Sequence, residues 1–175
     1  MKKTLRLVAA LAVLAAAGSA AAQERPSLGL GISIVPLEGA GAVPTVEVYV
    51  PLMLAPNFRL EPSLGIFTND PPAGGTDTSD ITLGVGAFYV SPIAPQADMY
   101  VGGRLKLNFA SEDDGIDDDS DTDVLLAGAV GGEYYLVPKF SIGMEAQLGL
   151  YSLGDVTDDS SGFFTTGLAF LRVYF

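Results

Sequence analysis

The sequence contains no histidine, no cysteine and no tryptophan, and only nine of its 175 residues are lysine or arginine. Each absence excludes something. Without histidine there is no Ser-His-Asp triad, no imidazole general base and no imidazole metal ligand. Without cysteine there is no thiol nucleophile, no disulfide and no site for a lipid at a cleaved N-terminus. The few basic residues stand against 21 acidic ones, for a formal charge of −12, which leaves no basic patch for nucleic acid. No cofactor motif is present and no cofactor is expected. Long apolar runs are also missing: the best, Leu7 to Ala17, falls short of the roughly 20 residues of a membrane-spanning helix.

That short run has a different meaning. Lys2, Lys3 and Arg6 precede it, and Ala20-Ala21-Ala22 before Gln23 follow it. A basic start, an apolar middle and small residues at the end make the pattern of a secretory signal peptide. The expected organisation is a signal peptide over residues 1–22 and one domain over residues 23–175. Cleavage after Ala22 removes Lys2, Lys3 and Arg6 and no acidic residue, so the exported chain is more acidic still.

Side chains of a strand alternate between two faces. Read with that period, the sequence falls into eight segments: 28–35, 42–50, 58–67, 81–90, 99–109, 124–136, 140–151 and 165–175. In the fifth, Met99, Val101, Leu105, Leu107 and Phe109 oppose Tyr100, Gly102, Arg104, Lys106 and Asn108. In the last, Leu171, Val173 and Phe175 oppose Phe170, Arg172 and Tyr174. Pro62 interrupts the third segment, where it has no N–H for the ladder. Segments of about this length suit tilted membrane strands of roughly 9–11 residues, and eight is the smallest usual number for a membrane barrel. The connections alternate as well. Pro51–Asn57, Ser91–Asp98 and Val137–Lys139 are short, whereas Thr68–Asp80, Ala110–Asp123 and Ser152–Ser161 are longer and polar.

Two features of the sequence turn the apolar face outward. The polar face is crowded with glycine (Gly29, Gly31, Gly65, Gly84, Gly86, Gly102, Gly131, Gly143), which suits the narrow interior of an eight-stranded barrel. The apolar face carries Phe58, Tyr89, Tyr134, Phe140 and Phe175 at one end and Phe109 and Phe163 at the other, as two interfacial girdles would. A soluble barrel, with the faces exchanged, is the rival. With the apolar face out, Glu47, Glu61, Glu133 and Glu145 point into the lumen together with Arg59, Arg104, Lys106 and Arg172. Buried charges of both signs are tolerated when they pair. Tyr49, Tyr100, Tyr135, Tyr151 and Tyr174 share that face and can add hydroxyls. Two readings follow: a polar plug, or the lining of a narrow ion path.

The longer connections hold most of the acid. Asp117, Asp119, Asp121 and Asp123 are weak candidates for a calcium site, since hard cations take several carboxylate oxygens. The EF-hand pattern fails, with Thr122 where the turn glycine belongs and Gly128 where the last glutamate belongs. A solvated, self-repelling loop is the simpler reading, and weak bridging of lipopolysaccharide phosphates by divalent ions lies between the two.

A terminal strand closing on Val173 and Phe175 resembles the assembly signal of bacterial outer-membrane barrels. Together with the signal peptide, the alternating segments and the polar lumen, it makes the sequence similar to the small outer-membrane β-barrel family of the OmpA/OmpX type. The resemblance implies an all-β fold: an eight-stranded antiparallel up-and-down transmembrane barrel in the outer membrane of a Gram-negative bacterium. It implies outer-membrane lipid, lipopolysaccharide and the barrel-assembly machinery as partners, with divalent cations at the acidic loops as a further candidate, and a monomer. Larger members carry a peptidoglycan-binding domain after the barrel, which is not expected here. Barrel enzymes of the outer membrane rely on histidine, so no enzymatic activity is expected. Members of this type are structural, adhesive or host-interacting, and some relatives form narrow pores or pass apolar molecules. Two functions therefore stand. One is a structural or interaction protein displaying acidic external loops over a charge-plugged lumen. The alternative is a small pore or conduit, for which Gly84, Gly86, Gly128 and Gly131 leave room.

Overall fold

The computed structural model describes residues 27–34, 46–69, 77–113, 118–154 and 160–175. The expected signal peptide lies outside the described residues, as do Glu38, Asp70, Asp114, Asp117, Asp155, Asp158 and Asp159. The described strands are β1 (Gly29–Ile34), β2 (Val46–Tyr49), β3 (Leu52–Ala55), β4 (Phe58–Asn69), β5 (Asp77–Ala94), β6 (Ala97–Asp113), β7 (Asp118–Val137), β8 (Phe140–Ser152) and β9 (Ser161–Tyr174). Apart from β2 and β3, which do not pair with each other, each pairs antiparallel with its neighbours in sequence; β1 also pairs with β9, and β2 pairs with β4. The sheet thereby closes into an eight-stave barrel, and closure removes the free edges that an open sheet would expose.

β2 and β3 form one stave. Tyr49 faces Ser63 and Leu52 faces Leu60, so the register against β4 runs unbroken across Val50 and Pro51. The interruption follows from proline chemistry. Val50 N–H donates to Pro62 C=O at 2.9 Å. A strand residue's N–H and C=O point the same way, so the N–H that Pro62 lacks would have faced Val50. The β4–β5 ladder on the other side of Pro62 loses nothing and pairs continuously from Phe58↔Tyr89 to Asn69↔Thr78.

The longer connections differ from the sequence expectation. Thr68–Asp80 is strand at both ends and Ala110–Asp123 is in large part strand, because β4 and β5 pair up to Asn69↔Thr78 and β6 and β7 up to Asp113↔Asp118. Aspartate and asparagine disfavour strands on their own, but a hairpin ladder already running below them carries them along, for Asp118–Asp123 the ladder with β6 alone. The expected turn Ser91–Asp98 shrinks likewise, with β5 reaching Ala94 and β6 starting at Ala97. β9 begins at Ser161, ahead of the expected Thr165.

Burial is inverted relative to a soluble protein. Met144, Phe163 and Leu148 are 72 %, 80 % and 62 % exposed, while Arg172 and Glu61 are 0 % exposed. Exposed Phe58, Tyr89, Tyr134 and Phe175 ring the outer surface at the end of the short turns, with Phe109 and Phe163 toward the other end. At the turn end, Asn57 Nδ2 donates to the Tyr89 hydroxyl (3.0 Å) and the Tyr134 hydroxyl donates to Gln96 Oε1 (2.8 Å). An apolar band between amphipathic rings fits a bilayer core between its two interfaces. The core of the molecule is the lumen.

Candidate functional site in the barrel lumen

Inward positions lie two residues apart on each strand, so rings and charges from different staves meet in the middle. The rings come first, because they decide how much room is left. Tyr49 lies opposite Gly31, Phe88 opposite Gly102 and Tyr100 opposite Gly131. Phe170 lies opposite Gly143, Tyr151 opposite Gly162 and Tyr174 opposite Gly29. In every one of these pairs the ring occupies the space that a Cβ on the glycine would need. Each aromatic side chain thus folds over a neighbouring strand that has no side chain there, which lets large rings fit a small barrel. Phe88 and Tyr100 meet edge to face at 5.1 Å, and Tyr100, Phe170 and Tyr49 continue the cluster at 6.3–6.4 Å between centroids.

This corrects the expectation that Gly84, Gly86, Gly128 and Gly131 leave room in the lumen. Ser63 Oγ stands over Gly84, the Phe88 ring over Gly86 and the Tyr100 ring over Gly131. Gly128 is exposed on the outer face, between exposed Leu126 and Val130 on the same side of β7.

The charges thread through these rings. Arg104 grips Glu145 with two bonds, Nε to Oε1 at 2.6 Å and Nη2 to Oε2 at 2.8 Å, and also reaches Glu61 Oε2 at 2.8 Å. Arg172 donates to Glu61 Oε1 at 2.5 Å, to the Tyr49 hydroxyl at 3.2 Å and to Glu133 Oε2. Arg59 donates to Glu133 Oε2 at 2.8 Å. Its Nε lies 2.7 Å from Glu61 Oε1, a close ion pair whose N–H is not aligned for a hydrogen bond. The remaining oxygen capacity is also used. Glu133 Oε1 accepts from Ser141 and Tyr174, both at 2.6 Å, and Glu145 accepts from Tyr100 (2.9 Å) and Gln147 (2.7 Å). The guanidinium carbons sit over aromatic faces, Arg172 at 4.1 Å from Phe170, Arg59 at 4.5 Å from Tyr100 and Arg104 at 4.7 Å from Phe88. Planar, weakly hydrated guanidinium suits both contacts at once, which an ammonium would not.

Toward the loop end the chemistry changes. Lys106 pairs with Glu47, and both side chains keep some exposure, 13 % and 8 %. Beyond them Asn108 Nδ2 donates to Asp80 Oδ1 (3.0 Å) and Asp123 Oδ2 (3.1 Å), and Thr82 donates to Asn108 Oδ1 (2.8 Å). The second oxygen of Asp123 accepts the Gly154 N–H at 2.9 Å. Every sequence-predicted lumen charge therefore lies on the inner face, but in two groups. Arg59, Glu61, Arg104, Glu133, Glu145 and Arg172 form one network, and Glu47 with Lys106 stands apart from it. Tyr135 is also inside, its hydroxyl on Asp98 Oδ2 at 3.2 Å.

The sequence reading missed Phe88 and Asp98, which are 0 % and 1 % exposed. Phe88 shares the parity of Gly84 and Gly86 and lies opposite a glycine, a usable signal. Asp98 was hidden by its assignment to a turn. Asp80 and Asp123, expected in loops, are on strands and turned inward. Of the calcium candidates, Asp119, Asp121 and Asp123 lie on β7 and Asp117 lies outside the described residues. Among the described residues no group of three or more Asp, Glu, His or Cys is placed to hold a metal ion.

A family model described as "Outer membrane protein beta-barrel domain" matches residues 7–170. The chain belongs to that family. As a member it is a protein of the bacterial outer membrane, and the short turns of such barrels face the periplasm. Solved structures agree on the fold. Neisserial surface protein A is 21 % identical with a TM-score of 0.54, over 85 % of this chain and 94 % of that one. The N-terminal barrel domain of Pseudomonas aeruginosa OprF is 14 % identical with a TM-score of 0.57, over 86 % and 99 %. The attachment invasion locus protein Ail of Yersinia pestis is 14 % identical with a TM-score of 0.54, over 84 % and 93 %. No curated protein matches the sequence. Val173 and Phe175 occupy the periplasmic end of the outer face in this family member, 46 % and 68 % exposed, and Phe175 N–H is held by Leu28 C=O at 3.0 Å.

Proposed function

We propose that this family member is a non-catalytic interaction or structural barrel whose lumen is sealed on the periplasmic side and whose acidic ends are its working surface outside the cell. The observation that carries the reading is the ring-and-charge plug. Arg59, Arg104 and Arg172 are matched in number by Glu61, Glu133 and Glu145, all nearly or fully buried, with aromatic rings filling the gaps between them. A water path would have to part several charge-assisted bonds at once. The carboxylates of the plug are held by arginine, which leaves them poor acid–base catalysts, and the chain has no histidine or cysteine to replace them.

The pore alternative draws on the external half, where Lys106 and Asn108 are partly exposed. Vesicle swelling separates the two. Vesicles containing the refolded barrel should swell in isotonic solutions of small sugars and amino acids no faster than empty ones. Rapid swelling would replace this reading with a conduit.

The partners belong to the same proposal. The barrel is a monomer in outer-membrane lipid, with lipopolysaccharide and screening divalent cations around the acidic external ends. Val173 and Phe175 are the segment read by the barrel-assembly machinery. Phe175→Asp should sharply reduce the folded, heat-modifiable protein in the outer membrane, while Phe175→Tyr should cost little. Equal folded amounts of the Asp variant and the native chain would remove Phe175 from the signal.

A further inference from the structure

The outer surface carries one feature that neither the plug nor the acidic ends use. Toward the periplasmic end a depression of about 820 Å³ opens on the lipid-facing side of β7, β8, β9 and β1 and extends to Ile93 of β5 and Ala97 of β6. It exists because small and large residues are set side by side. Gly132 faces Met144, and Met144 faces Ala169, so one row across the sheet is small, tall, small. The row nearer the periplasm, Tyr134, Ile142, Leu171 and Ile32, stands full height and bounds the depression. In a bilayer such a hollow fills with hydrocarbon.

The charge beside it selects which hydrocarbon. Lys139 sits in the periplasmic turn of the same β7–β8 hairpin, about 10 Å along the strand from Ile142 at ~3.4 Å per residue. It is exposed, and among the described residues it is the one lysine or arginine outside the lumen, on an otherwise acidic protein. The spacing puts a cation at headgroup height and an apolar hollow at acyl depth beneath it. The hollow lies at the periplasmic end, so the lipid comes from the periplasmic leaflet, which excludes lipopolysaccharide.

We infer that this depression is a binding site for one anionic phospholipid of the periplasmic leaflet, with its phosphate at Lys139 and an acyl chain beside Gly132, Met144 and Ala169. The inference rests on the outer-membrane location alone and is independent of whether the lumen conducts.

Native mass spectrometry of the detergent-refolded full barrel, titrated with phosphatidylglycerol or phosphatidylcholine, tests it. The native barrel should retain one phosphatidylglycerol in preference to phosphatidylcholine. Ala169→Phe, which fills the hollow from the lipid side and leaves the lumen untouched, should abolish retention. Lys139→Ala should weaken phosphatidylglycerol binding about fivefold, the worth of one cation near an anionic lipid surface, and leave phosphatidylcholine unchanged. Leu148→Phe, higher on the same face, serves as the control for general lipid-surface effects, and heat-modifiability confirms that each variant is folded. Equal retention of both lipids, equal retention by the native and Ala169→Phe barrels, or a dimer mass that Ala169→Phe removes would each overturn the site.

Discussion

The two halves of the lumen are lined by the same inward positions of the same strands, yet they are different materials. The periplasmic half is arginine, glutamate and aromatic rings, with three arginines against three glutamates in one network, Asp98 beside it on Tyr135, and each ring set over a glycine or beside another ring. The external half is carboxylate, amide and hydroxyl with Lys106 as its cation, and it keeps contact with water. The difference shows that alternation decides only which side chains enter a barrel. What they build there depends on whether cation and anion counts match and on whether glycines make space for rings. A matched, desolvated network is rigid and depends on all its members. An unmatched, hydrated one is soft and tolerant.

The sharpest way to break this comparison is to replace a cation in each half. Arg172→Glu would leave Glu61 and Glu133 facing a third carboxylate without water, and should destabilise the barrel by at least ~3–5 kcal/mol, or prevent folding. A urea titration of the barrel in vesicles, followed by gel mobility, measures it. Substitution of the glycine steps comes next. Gly131→Val drives a side chain into the Tyr100 ring and should cost about 1–3 kcal/mol by overpacking. Gly128→Ala on the outer face meets only the Leu148 carbonyl at 3.8 Å and should be near neutral by the same titration. The smallest effect belongs to the external half, where Lys106→Ala should cost less than Arg172→Glu because the Lys106–Glu47 pair keeps some contact with water, 13 % and 8 % exposed, and Arg172 and Glu61 have none. If Lys106→Ala proved as damaging as Arg172→Glu, the two halves would be one network and the comparison would fail.

Much of this was legible in the residues. Alternation in 99–109 and in the last strand placed Arg104, Arg172, Tyr100 and Tyr174 on one face, and the structure keeps them there, inside. Equal numbers of Glu and Arg/Lys on that face already pointed to pairing. The partition into two groups was not legible, because it depends on stagger between staves, and periodicity carries no information about stagger. The acidic strand ends were not legible either. Asp118–Asp123 reads as loop by propensity, and only the pairing of its neighbours extends β7 through it. A glycine in the lumen is not empty volume, since Gly84, Gly86 and Gly131 are covered by Ser63, Phe88 and Tyr100. Gly128 was misread more simply, by parity: it shares the outer face with Leu126 and Val130.

The central claim is that the periplasmic plug closes the lumen, and single-channel recording of the unmutated barrel in planar bilayers tests it most directly. The account predicts no steady conductance above the bare bilayer from the native barrel, and measurable openings once Arg172 is replaced by alanine in barrels verified as folded. A large, steady, ion-selective current through the native protein would contradict it and make the same arginines and glutamates the lining of a pore.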